Sequence, residues 1–137
     1  MNAFFDASAL IYLIEGAEPF AERLRAELVR AARKHSSMGV AVSRLSWLEC
    51  RVRPVRGNDL ATLAAFDAFF ERPDLVWVEL GKDVVELATA IRVKHGLRTA
   101  DALQAASCLQ LGARHLFFTG DAGFRKVVGL NVKALAG

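Results

Sequence analysis

Ala3-Phe4-Phe5-Asp6-Ala7-Ser8-Ala9-Leu10 reads as a strand, a carboxylate and the start of a helix. The apolar run 3–5 predicts a short strand with Asp6 at its carboxyl end. The apolar spacing over 8–15 predicts a helix closed by Gly16. The same order returns far along the chain. His115-Leu116-Phe117-Phe118-Thr119 predicts a strand, Asp121 follows it, and 122–127 predicts a short helix.

Between these ends the apolar period switches repeatedly between strand and helix. Helices are predicted over 20–35, from the Ser43 cap to about Arg51, over 60–71 and 82–95, and over 99–112 with Thr99 as cap. Strands are predicted over 38–42, 75–79 and 130–133. Arg53-Pro54 and Gly57-Asn58 predict breaks. The alternation predicts an α/β fold: one domain over 1–137, with a mainly parallel central sheet between two helical layers. In such folds ligands meet the carboxyl ends of the strands.

That rule gathers four acids. Asp6 and Asp121 follow strands. Asp101 lies in the first turn of the 99–112 helix, and Glu49 lies on the helix after the strand 38–42. Each has an ordinary reading. Asp6 and Asp121 suit helix N-caps, and Asp101 complements a helix dipole. Glu49 would face solvent and pair with Arg53 one turn on. At 100° per residue, however, Glu49 sits at the margin of an apolar stripe of Leu45, Leu48 and Val52, where an unpaired carboxylate is costly.

Taken together, four acids on one edge would repel one another and raise each other's pKa values. A bound Mg²⁺ or Mn²⁺, which prefers oxygen ligands, removes that cost. The chemistry such a centre supports is phosphodiester hydrolysis by metal-activated water. None of the three histidines is needed: His35 and His95 end helices, and His115 starts a strand at the opposite edge.

Composition sets further bounds. Apolar residues make up 53% of the 137 positions and mean hydropathy is +0.25, which points to a full core or an apolar surface kept for a partner. The net charge of +3 permits a phosphate-rich partner. Two separated cysteines, Cys50 and Cys108, make no disulfide scaffold and read as reduced thiols of a cytoplasmic protein. No apolar run reaches membrane-spanning length.

Four motifs in order carry a family resemblance. Phe5-Asp6-Ala7-Ser8-Ala9-Leu10 resembles the first motif of PIN-domain proteins, and Glu49 after a strand and a serine cap resembles the second. Arg98-Thr99-Ala100-Asp101-Ala102-Leu103-Gln104-Ala105-Ala106 is similar to the third, and Phe118-Thr119-Gly120-Asp121-Ala122-Gly123-Phe124 to the fourth. Nearly the whole chain is covered, and the likeness is greatest to the VapC toxins of VapBC toxin–antitoxin pairs. The resemblance implies a three-layer PIN-like fold and a Mg²⁺- or Mn²⁺-dependent ribonuclease. It places Asp6, Glu49, Asp101 and Asp121 at the metal and Ser8 and Thr119 beside it. It also implies inhibition by a small VapB-like antitoxin. One departure stands out: many members carry Asn where Asp121 stands and an acid where Gly123 stands.

Two basic groups, Arg51 with Arg53 and Arg56, and Arg92 with Lys94 and Arg98, are expected near the acidic edge. There they would attract RNA phosphates, or simply form a solvated face. In the helix 60–71, Phe69 points almost opposite Leu60. This predicts a second buried surface, for a homodimer or an antitoxin helix, unless Phe69 packs under a neighbouring loop. Two rivals remain. A receiver-like signalling module would need an acid pair after the first strand, and only Asp6 is there. A PIN-like domain that binds RNA or a partner without cutting would share every feature above except activity.

Overall fold

The computed structural model describes residues 1–135, and its predicted strands all pair in one direction. They are β1 (Asn2–Phe5), β2 (Gly39–Ser43), β3 (Leu75–Val78), β4 (His115–Thr119) and β5 (Val132–Ala134). Their order in the sheet is β3-β2-β1-β4-β5, with every neighbouring pair parallel. The helices are α1 (Ala7–Glu15), α2 (Phe20–Lys34), α3 (Arg44–Arg56), α4 (Leu60–Phe70), α5 (Lys82–His95) and α6 (Thr99–Leu109).

Strand alternation builds two cores. Ala3, Phe5, Val42, Leu116 and Phe118 point to one face. There they meet Leu10 of α1, Leu24 of α2, Cys50 of α3 and Phe66 and Phe70 of α4. Phe4, Ala41 and Phe117 point to the other face, against Val84, Ala88 and Ile91 of α5 and Ala102, Ala105 and Ala106 of α6. The layers are therefore helix, sheet, helix. The β1–β4 register sets Phe4 on Phe117 and Phe5 on Phe118, with ring centroids 5.5 and 5.4 Å apart. Burying each such ring is worth about 1.5–3 kcal/mol, so this central pair of strands anchors both cores.

The chain steps outward from β1 through β2 to β3, then crosses back and lays β4 on the other side of β1. The direction of winding thus reverses between β1 and β4. In an open parallel sheet that reversal opens a crevice beyond the strand ends. Asp6 leaves β1 there, and Asp121 comes just after β4.

Several expectations are corrected. Pro54 does not end α3; it is buried within it, and the helix stops at Gly57. The missing N–H costs one helical hydrogen bond, which ring burial offsets. The true break is Asn58, whose φ of 50° ends the segment in the left-handed region. The core side of α3 is Ser46, Cys50 and Pro54, not Leu45, Leu48 and Val52. Leu48 and Val52 are 54% and 41% exposed. Small side chains let α3 approach its neighbours closely, so the larger apolar ones turn outward. Phe69 is half-buried against the first core, edge-on to Phe70 at 5.7 Å, and offers no separate surface. The segment after Asp121 is a short 3-10 helix, Ala122–Lys126, and β5 begins two residues later than predicted. Among the described residues no helix is long and apolar enough to cross a membrane.

Candidate active site

Asp6 is the best-held carboxylate of the protein. It is only 5% exposed. Its Oδ1 accepts from Ala9 N at 2.9 Å, capping α1, and from Ser8 Oγ at 2.7 Å. Its Oδ2 accepts from Thr119 Oγ1 at 2.6 Å. The capping role and the site role thus coincide in one residue. Burial pushes its pKa from 3.8 up to about 6, against the pull of those three donors, and the charge of Asp101 adds to the rise.

The same hydroxyls tie the fourth motif to the first. Ser8 Oγ accepts from Gly120 N at 2.9 Å, and Thr119 Oγ1 accepts from Asp121 N at 3.0 Å. A Cβ at Gly120 would stand 2.6 Å from the Tyr12 ring, so any other residue there would have to displace that ring. Asp121 is exposed and caps the 3-10 helix through Gly123 N at 2.8 Å.

Asp101 lies in the first turn of α6 and is coupled by charge to the other acids. Its charge raises the pKa of both Asp6 and Glu49, and that of Asp121 raises its own. Burial is the larger cause for each of these three, and Arg98 opposes it at Asp101. Glu49 is half-buried and accepts from Gln104 Nε2 at 2.9 Å. Arg53 is not its partner; Arg53 binds Glu15 at 2.6 Å. The charge of Asp101 is thus felt at Asp6 and at Glu49, and that of Asp121 at Asp101.

An all-carboxylate set of this kind suits a hard, oxygen-seeking divalent ion. Among the described residues, no group of three or more His, Cys, Asp or Glu side chains is arranged to hold a metal ion as it stands. Asp6 and Asp121 are turned to their own donors, and like charges keep the set open. The donor chemistry fits a cation; closing around one requires side-chain movement.

The basic residues divide. Arg98 stays beside Asp101, and Arg92 holds Thr99 Oγ1 at 2.7 Å at the start of α6. Arg51 is corrected: it pairs with Asp67 of α4 and lies over Trp47 at 4.4 Å, on the α4 side of α3, while Glu49 turns to α6. Arg53 is likewise taken by α1. His115 is buried at the far end of β4, its Nδ1 donating to Gly112 O and its Nε2 accepting from Asn131 N. Burial pushes the Cys50 thiol up to about 12 and raises Cys108 too, which leaves both protonated and unreactive. Sequence reasoning missed Gln104. The available signal was a long polar side chain one turn after Asp101, inside the small apolar run Ala102–Ala106.

A family model described as PIN domain matches residues 3–130. The chain belongs to the PIN-domain family. Membership removes the receiver-like alternative. Solved structures agree on the architecture of this PIN domain. VapBC2 from Rickettsia felis, bound to a DNA fragment from its promoter, superposes with a TM-score of 0.77 at 13% identity, covering 98% of each chain. VapBC-1 from nontypeable Haemophilus influenzae gives 0.68 at 16%, covering 98% of each chain. A toxin–antitoxin complex from Klebsiella pneumoniae gives 0.67 at 21%, covering 97% of each. At such identities the likeness is one of fold. No curated protein matches the sequence.

Proposed function

We propose that this PIN domain is the toxin of a type II toxin–antitoxin pair and a Mg²⁺- or Mn²⁺-dependent endoribonuclease. The observation that carries the reading is the edge itself. Asp6 is held where β1 and β4 end, and burial together with a neighbouring carboxylate charge raises the pKa values of Asp6, Glu49 of α3 and Asp101 of α6. Crowding of this kind costs stability unless a cation offsets it.

Asp6, Glu49 and Asp101 would hold the ion, with Asp121 at the open rim. When bound, the ion supplies an activated water and offsets charge on the phosphate. The chain's own groups do the rest. Ser8, Ala9 N and Thr119 fix the Asp6 carboxylate where β1 and β4 end. Arg98 draws a phosphate toward the acids.

A VapB-like antitoxin would cover this edge, and a basic side chain inserted among the acids would replace the ion's charge. Self-association would use the exposed apolar face of α3, where Trp47, Leu48, Val52 and Val55 lie uncovered, rather than Phe69.

Product chemistry tests the proposal. Cleavage of an RNA panel should require Mg²⁺ or Mn²⁺ and leave a 5′-phosphate and a 3′-hydroxyl. A 2′,3′-cyclic phosphate would mean attack by the RNA's own hydroxyl and would reject the mechanism.

A further inference from the structure

A polar seam joins α3 to α6. On one side Ser43, Ser46 and Glu49 recur every third residue; on the other, Gln104 and Ser107 do, continuing the face that begins with Asp101. Ser107 Oγ meets Ser43 Oγ at 3.1 Å. Gln104 Nε2 gives one hydrogen to Ser46 Oγ and the other to Glu49 Oε1, both at 2.9 Å. Gln104 is 2% exposed, and Ser43, Ser46 and Ser107 are fully buried.

The amide is used on one side only. Both N–H groups are bonded, while Oε1 of Gln104 is buried with no partner. An unsatisfied buried carbonyl is a standing cost that an apolar side chain of the same size would avoid. The amide's orientation is also fixed, because its oxygen could not face a carboxylate. What this residue adds over a methionine is therefore a donor aimed at Glu49.

We infer that Gln104 is a positioning residue for Glu49, its buried amide fixing one carboxylate oxygen against α6 so that the other is presented to a divalent cation shared with Asp101. The inference rests on the proposed cation site. It assigns to the α3–α6 seam the task of carrying Glu49, from a separate helix, to the acids of β1 and α6. Partners of this kind, one bond removed from a metal, typically change affinity by about 10–100-fold.

The test is Mn²⁺ binding to the full chain without RNA, read by electron paramagnetic resonance, in a cycle of Gln104→Met and Glu49→Gln. Gln104→Met should weaken Mn²⁺ binding about tenfold, and should add nothing once Glu49→Gln is present, because its effect passes through that carboxylate. Unchanged affinity in Gln104→Met, or an equal further loss in the Glu49→Gln background, would overturn the inference and leave the cation site standing. A wild type that binds no Mn²⁺ would overturn both. Should Gln104→Met fail to fold, Ser46→Ala replaces it in the same cycle. That variant frees the amide from its second anchor and should give a smaller loss with the same dependence on Glu49.

Discussion

Thr119, the last residue of β4, donates its hydroxyl to Oδ2 of Asp6, the first residue after β1, at 2.6 Å. The bond spans the point where the sheet reverses direction, and it is fully buried. Thr119→Val keeps the shape and removes the donor, leaving a buried carboxylate oxygen unpaired. We expect a loss of about 1–3 kcal/mol in urea unfolding and a further rise in the Asp6 pKa, followed by carbon-detected NMR. Thr119→Ser should recover most of both. Equal stability of Thr119→Val and wild type would show that the hydroxyl is replaceable by a methyl.

The raised pKa of Asp6 fixes the sign of a pH effect. Its folded value, about 6, lies above the ordinary 3.8, so the folded chain binds more protons than the unfolded one between those values. The metal-free protein should therefore lose stability from this group as pH rises from about 4 to about 7, by on the order of 3 kcal/mol. Glu49 and Asp101 are shifted in the same direction. Unfolding in EDTA at either end of the range, for wild type and Asp6→Asn, isolates the contribution. The variant should show a flatter profile, and added Mg²⁺ should flatten the wild type. Identical profiles in all three cases would rule out a strained Asp6 carboxylate.

Asp101→Asn removes the charge common to the other acids while preserving shape. RNA cleavage should fall below detection with the fold intact by circular dichroism. The Glu49 pKa should drop toward its ordinary value, since the Asp101 charge helps raise it. Cleavage at the wild-type rate would reduce Asp101 to a helix-start charge.

Gly120 lies against Tyr12, and a Cβ would enter the ring. Gly120→Ala should cost about 1–3 kcal/mol, the usual range for overpacking, and shift Asp121. Tyr12→Leu in the same chain should return part of the stability, because the obstacle is the ring. No recovery would mean that the glycine is needed for its backbone instead.

Leu48→Glu together with Val52→Glu should weaken self-association in sedimentation at micromolar concentration without lowering the melting temperature, since both side chains are exposed. Phe69→Glu should instead lower the melting temperature, because Phe69 packs on Phe70. An unaltered dimer in the double variant would move the interface elsewhere.

The strand ends and the acids after them were legible because short-range order defines them: an apolar run, then Asp6 or Asp121. Asp101 was legible from its place in a helix's first turn. The inward face of α3 was not. Ser46 and Cys50 carry no hydrophobic signal strong enough to outweigh Leu45, Leu48 and Val52, and only α6 opposite explains why small residues turn inward. Arg51 and Arg53 were misplaced for a similar reason. Sequence proximity to Glu49 does not fix a partner: two residues along a helix turn Arg51 by about 200°, while Arg53, one turn on and near the same face, is taken by Glu15 of α1. Gln104 was hidden because its partners, Ser46 and Glu49, lie more than fifty positions away.

The Asp6–Thr119 bond has one more consequence, for the order of synthesis. Its halves lie 113 positions apart, so a chain still emerging from the ribosome can form β1 through α5 and hold most of the first core without a working crevice. Long-range parallel pairing of this kind forms late, because the chain entropy of closing the gap is lost before contacts repay it. On the proposed nuclease reading, a nascent copy would lack an assembled site, and would leave its own message uncut, until β4 docks. A truncated translation product ending before Thr119 would never bring Asp6 its partner from β4.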